Sequence, residues 1–128
     1  MLLSSLYISD VQGKGRGVFS SEDIASGETL EVSPVIVMSQ DDRVLLDQTL
    51  MHEYIFEWGA TGGKCCVALG YISVYNHSPV SNCEYQMDYE NQTIAIHSVR
   101  HIKSGEELTI NYNGDWNDPR QVWFELSK

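Results

Sequence analysis

Positive charge is what this sequence has least of. Eight Lys and Arg stand against 18 Asp and Glu, a formal net charge of −10. Phosphate binding needs clustered basic side chains, so the composition argues against nucleic acid as a direct partner and makes a basic protein or peptide the natural complement. A negative field steers a cationic chain toward an acidic groove and raises its on-rate. Cysteine is scarce as well: three residues, two of them adjacent at Cys65 and Cys66, give no disulfide framework. No Cys-x-x-Cys pair accompanies His77, His97, His101 and Cys83, so the usual zinc spacings are missed and no metal is expected. Neither a secretory leader nor an apolar run of membrane-spanning length is seen, and the expectation is a soluble intracellular protein with no membrane partner. Repeats and low-complexity tracts are missing too, which excludes solenoid and disordered classes.

What is present fits a single ordered domain over residues 1–128, with an apolar fraction of 42%, enough to bury a core without metal or disulfide help. Short runs rich in Val, Ile, Tyr and Thr, punctuated by Gly, Asp, Asn and Ser, predict many short strands. They fall at 6–9, 17–20, 29–33, 35–38, 66–69, 83–88, 93–98 and 107–112, with a hairpin connection at 90–92. One helix is predicted between Asp41 and Met51, with Val44, Leu45, Leu50 and Met51 on a shared face. Residues 21–28 and 99–106 read as short helical or 3₁₀ turns containing a glycine near the end, at Gly27 and Gly105. The fold class is therefore mainly β, an α+β domain with little helix.

Three segments carry chemistry. Gly13, Gly15 and Gly17 alternate before Val18-Phe19, where backbone can approach another molecule or simply turn a hairpin. A phosphate loop is excluded, because no Lys-Ser/Thr follows the last glycine and no long helix begins there. Asn76-His77-Ser78 offers donors and acceptors able to meet an ammonium, a carboxylate or an adenine edge, or it is turn chemistry. Glu106-Glu107-Leu108-Thr109-Ile110-Asn111-Tyr112 enters a strand and ends in a tyrosine that could be a core aromatic or a placed hydroxyl.

Together, in order and spacing, Gly13-Lys14-Gly15-Arg16-Gly17, Tyr75-Asn76-His77-Ser78 with Asn82-Cys83, and Gly105 to Tyr112 resemble the signatures of the SET-domain protein lysine methyltransferases. The resemblance runs over a core of about residues 6–125. It implies a fold of several small twisted sheets whose C-terminal segment threads under a preceding loop as a pseudoknot. It implies S-adenosylmethionine as cofactor, bound by Lys14, Gly15, Arg16, Tyr54, Asn76, His77 and Trp116. It also implies Tyr112 as the catalytic residue and a substrate-lysine channel of Tyr54, Tyr85, Ile110 and Tyr112. The Asn-His motif departs from the family pattern, with Pro79 where Cys is common and Ser81 where Pro is common. The zinc-binding segments that flank many SET cores have no counterpart, which is similar to the small stand-alone SET proteins of viruses and bacteria. Trp116 or Trp123 would then serve as the lid.

The activity implied is methyl transfer to the lysine ε-amine of a basic protein such as a histone tail, in the cytoplasm, or in the nucleus if the substrate is a histone. Small stand-alone relatives can be homodimers, which makes a second copy of the chain a candidate partner, although no residue pattern marks an interface. The alternative is a catalytically idle SET module that binds basic tails through an acidic groove. Methyl transfer to an amine is an in-line displacement in which the cofactor carries the reactivity, so the protein's task is to align, desolvate and neutralise.

Overall fold

The computed structural model describes residues 1–60 and 62–112, and its architecture is two curled sheets. In the first, β1 (Leu6–Val11) and β2 (Gly15–Ser20) form a hairpin in unbroken register from Leu6↔Ser20 to Val11↔Gly15. The far edge of β2 takes β9 (Glu107–Ile110), which in turn pairs parallel with the two-residue β6 (Asn76–His77). The order β1-β2-β9-β6 sets the glycine segment, the Asn-His pair and the terminal segment side by side, although they are far apart in sequence.

The second sheet is antiparallel, in the order β4 (Ile55–Glu57), β5 (Cys65–Ala68), β3 (Thr29–Met38), β8 (Thr93–Ser98) and β7 (Cys83–Asp88). The sequence reading divides β3 in two around Pro34, but it is one strand. Its first part pairs with β8 as far as Pro34↔Thr93, and from Val35↔Ala68 onward it pairs with β5. Pro34, which has no N–H to give, sits where the strand changes partners, the position at which a sheet tolerates proline. A bulge between Thr29 and Glu31 sets two residues against one on β8, so Leu30 and Glu31 are both fully buried and Glu31 begins the inward face shared with Ser33 and Val35.

Between the sheets lie Leu6, Val18, Leu30, Ile72, Tyr75, Ile94, Ile96, Leu108 and Ile110, each almost wholly removed from water. Burial of this kind stabilises by about 1.5–3 kcal/mol per large side chain. The loop after β6 is bonded across β9: Ser78 N donates to Ile110 O (3.0 Å), and Thr109 N donates to Asn82 Oδ1 (2.8 Å). Asn82 Nδ2 donates in turn to Glu107 O (2.8 Å), and Asn111 Nδ2 to Pro79 O (3.3 Å). The C-terminal strand is thus held beneath residues 78–82, the threading expected of the fold.

The helical expectations need correction. The single helix expected between Asp41 and Met51 is instead α1 (Gln40–Leu46), capped by the Ser39 hydroxyl, followed by a separate 3₁₀ turn at Leu50–Glu53. The break at residues 47–49 loses the helical phase, so Leu50 and Met51 do not continue the face of Val44 and Leu45, and Val44, Leu45 and Leu50 are all exposed, α1 burying none of its residues. Residues 21–28 and 99–106 hold no helical turn. Ile24 and Ile102 bridge the two segments with reciprocal backbone bonds of 2.8 Å and bury their side chains. Among the described residues no helix is long and apolar enough to cross a membrane.

Candidate active site

Where the first sheet meets the 3₁₀ turns there is a cavity of about 280 Å³, lined by Lys14, Gly15, Arg16, Glu53, Tyr54, Ser73, Val74, Asn76, His77 and Tyr112. Seven of the residues singled out in the sequence therefore converge there. Tyr85 and Ile110 are not among the lining residues, and Trp116 lies outside the described residues. Ile110 is fully buried in β9 opposite His77, while Tyr85 packs edge-on to Phe56 with centroids 5.4 Å apart and donates its hydroxyl to Tyr112 O (3.2 Å).

Asn76 is oriented by its neighbours. Its Nδ2 donates to Arg16 O (2.9 Å) and to Glu107 Oε2 (2.7 Å), both acceptors, so the amide nitrogen must point that way. What the side chain retains for a ligand is a carbonyl acceptor, the complement of an ammonium donor. Glu107 Oε1 also faces Lys14 Nζ at 3.7 Å, so one carboxylate ties the glycine segment to the Asn-His segment. Gly17 makes room for this contact. A Cβ there would stand 2.5 Å from Glu107 Oε2 and 3.1 Å from Asn76 Nδ2. At Gly15, by contrast, a Cβ would meet nothing within 4 Å, and φ of +80° places the backbone where glycine is favoured, so the main chain is open to close approach.

His77 is buried, and its Nδ1 accepts the Tyr112 backbone N–H (3.1 Å), which puts the proton of the neutral ring on Nε2. Its ring lies 5.3 Å from that of Tyr112. The Tyr112 hydroxyl donates to Tyr75 O at 2.5 Å. Burial pushes the Tyr112 phenol well above the ordinary tyrosine value, and Tyr54, Glu107 and Glu53 raise it further. Burial likewise pushes Tyr85 up to about 12. Both phenols stay protonated through the neutral range.

Three features escaped the sequence reading. Glu107 was read only as part of a strand, although an acid paired to the glycine segment follows from the β2–β9 register Phe19↔Glu107. Phe56, whose ring centroid is 6.3 Å from that of Tyr112, could have been found as the period-two neighbour of Tyr54. Ser73 and Val74 enter the wall from a 3₁₀ turn that has no distinguishing composition.

Comparison with known proteins accords with this geometry. Residues 15–113 match the SET domain family. A Schizosaccharomyces pombe histone-lysine N-methyltransferase specific for H3 lysine-37 is 37% identical over 126 residues, covering 98% of this chain and 80% of the relative. In fold, a Plasmodium falciparum protein of solved structure matches with a TM-score of 0.64 and 24% identity, covering 90% of this chain and 98% of that one. A chain of an active polycomb repressive complex 2 matches with a TM-score of 0.71 and 25% identity, over 86% of this chain but only 15% of that one. The chain belongs to the SET-domain family. In class it is a SET-domain protein-lysine N-methyltransferase.

Proposed function

We propose that the cavity binds S-adenosylmethionine and that the enzyme transfers its methyl group to a lysine ε-amine of a basic protein, a histone tail being the first candidate. The observation that carries the reading is the convergence of the glycine segment, an acceptor-oriented Asn76 and Tyr112 on one cavity. The residues present suit the cofactor: Asn76 Oδ1 would accept from its ammonium, the open backbone of residues 14–16 would lie along its methionine part, and His77 would flank the adenine. When bound, S-adenosylmethionine supplies a methyl group activated on a sulfonium.

This chain's own residues orient the acceptor and exclude water. Tyr54 and Tyr112 line the cavity, with Phe56 and Tyr85 packed against Tyr112, and such an aromatic set would suit an alkyl stem ending in a cation. Tyr112, whose O–H donates to Tyr75 O, can offer an incoming amine only an acceptor. A phenol held protonated is no base, so the amine gives its proton to solvent before transfer. We take about residues 6–125 as the catalytic core, and a cytoplasmic or nuclear location follows from where such a substrate resides.

The test joins a calorimetric titration of S-adenosylmethionine with a radiolabel transfer screen on histones and other basic proteins. Saturable binding and label on lysine are expected. Binding without transfer to any acceptor would leave an idle SET module, and no binding would overturn the cofactor assignment. Sedimentation of the same samples tests the second copy as partner, with a monomer at high micromolar concentration counting against it.

A further inference from the structure

Glu31 lies outside the residues that line the cavity, takes no part in the chemistry above, and is fully buried on β3, turned inward by the bulge. Three donors converge on its carboxyl group. Ser33 Oγ (2.6 Å) and Tyr71 N (2.8 Å) donate to Oε2, and the Tyr75 hydroxyl (3.1 Å) donates to Oε1. Tyr71 and Tyr75 are the two caps of the 3₁₀ turn Ile72–Val74. One side chain therefore ties down both ends of the turn that supplies Ser73 and Val74 to the cavity wall. The C-terminal cap of that turn presents the carbonyl that takes the Tyr112 hydroxyl. Gly70, which precedes the turn at φ +64°, keeps the space clear, since a Cβ there would run into Glu31 Oε2 and Ser33 Oγ. A fully buried carboxyl group is costly unless every oxygen is bonded, and apolar packing could cover the same turn without that cost. What apolar packing cannot do is fix a carbonyl through directional bonds.

We propose that Glu31 is a positioning residue: by clamping Tyr71 and Tyr75 it fixes the Tyr75 carbonyl, and through it the hydroxyl of the cavity-lining Tyr112. The catalytic weight of this rests on the reading of Tyr112 as the residue beside the transferred methyl. The positioning itself does not.

The test uses Glu31→Gln and Tyr75→Phe in the full chain, each alone and combined with Tyr112→Phe. In Glu31→Gln one acceptor oxygen becomes an amino group that only the Tyr75 hydroxyl can face, which reverses that bond and loosens the cap. Tyr75→Phe removes the same arm at nearly equal volume and carries every readout should the Gln variant fail to fold. The first readout is the NMR signal of tyrosine labelled with carbon-13 at Cζ, the Tyr112 line being identified by its loss in Tyr112→Phe. The second is single-turnover methyl transfer beside calorimetric cofactor affinity. We expect the Tyr112 line to move in both variants, and transfer to slow about tenfold, as displaced catalytic groups do. Cofactor affinity should stay within about twofold, and neither change should slow the Tyr112→Phe protein by more than about twofold, since residues acting as one unit are not additive. An unmoved Tyr112 line, or equal slowing in the wild-type and Tyr112→Phe backgrounds, overturns the proposal. A line that moves in an enzyme that methylates nothing would sink the methyl-transfer reading and leave the positioning standing.

Discussion

Tyr112 donates its only O–H to the Tyr75 carbonyl, and that decides what it can do for an incoming amine. It can accept a hydrogen bond and so aim the lone pair, but it cannot take a proton while burial holds its phenol above the usual range. Replacing it by phenylalanine removes one oxygen and little volume. We expect single-turnover transfer to fall by about 10²–10³-fold, the range for one well-placed polar group. Cofactor affinity and melting temperature should change little. Intact transfer, or a loss that merely follows unfolding, would remove Tyr112 from the chemistry. The same bond shapes the pH dependence. Transfer should climb with the neutral fraction of the substrate lysine, toward its ordinary pKa near 10.4. A rate that instead falls near pH 10, where an unperturbed tyrosine ionises, in protein whose melting curve shows it still folded, would show Tyr112 titrating and contradict its burial.

At the level of elements, the site is made by the β1-β2-β9-β6 order rather than by any one segment. The hinge of that arrangement is the Asn76–Glu107 bond, which passes over Gly17. Gly17→Ala should weaken S-adenosylmethionine binding roughly tenfold, because the methyl displaces Glu107 and leaves the Asn76 amide held by Arg16 O alone. The methyl would also stand 2.8 Å from Val11 Cγ2, a side-chain end that can turn aside, so calorimetry should show the larger loss and thermal melting a smaller one; unaltered affinity would mean that Asn76 needs no such support. Much of this was legible in the sequence. The alternating runs of β7 and β8 and the strand of β9 follow from period, while the Asn-His and tyrosine motifs stand out only through their resemblance to the SET family. Other features depend on tertiary partners that no local pattern carries. Pro34 reads as a strand break because the change of partner from β8 to β5 is a property of the sheet, not of the dipeptide. Glu31 has no role in the sequence reading because a bulge, which reverses the alternation, leaves no mark in composition. The α1 segment reads as one amphipathic helix because exposure of Val44 and Leu45 is settled by what packs nearby.

For the molecule as a whole, buried thiols and a buried phenol set an alkaline limit. Burial pushes Cys66 and Cys83 up to about 12 from an ordinary 9.0, and Tyr85 up to about 12 from 10.0. Above pH 9 the unfolded chain therefore sheds protons that the folded one keeps. The stabilisation is complete below the unfolded values and is lost as pH rises through 9 toward 12, by up to about 1.4 kcal/mol per pH unit for each group. Melting temperature should drop steadily from pH 8.5 to 11, and Cys83→Ala should make the drop shallower. A flat profile would mean that these groups ionise in place. The net charge of −10 acts at longer range. Asp41, Asp42, Asp47, Glu53 and Glu57 are exposed along α1, the following turn and β4, and Glu53 reaches the cavity wall beside Tyr54. A cationic tail approaching Tyr54 would thus cross an acidic stretch relieved mainly by the half-buried Arg43. Screening over about 8–10 Å at physiological salt weakens such steering, while short contacts within the cavity are protected from it. Turnover per unit of a Lys/Arg-rich peptide should therefore fall several-fold between about 50 and 300 mM salt, through the association rate, with cofactor affinity nearly constant. Charge reversal at Asp41 and Asp42 should flatten the dependence without changing turnover at saturating peptide. A salt profile that is flat in the wild type would leave the site chemistry untouched and show that substrate selection rests on contacts inside the channel.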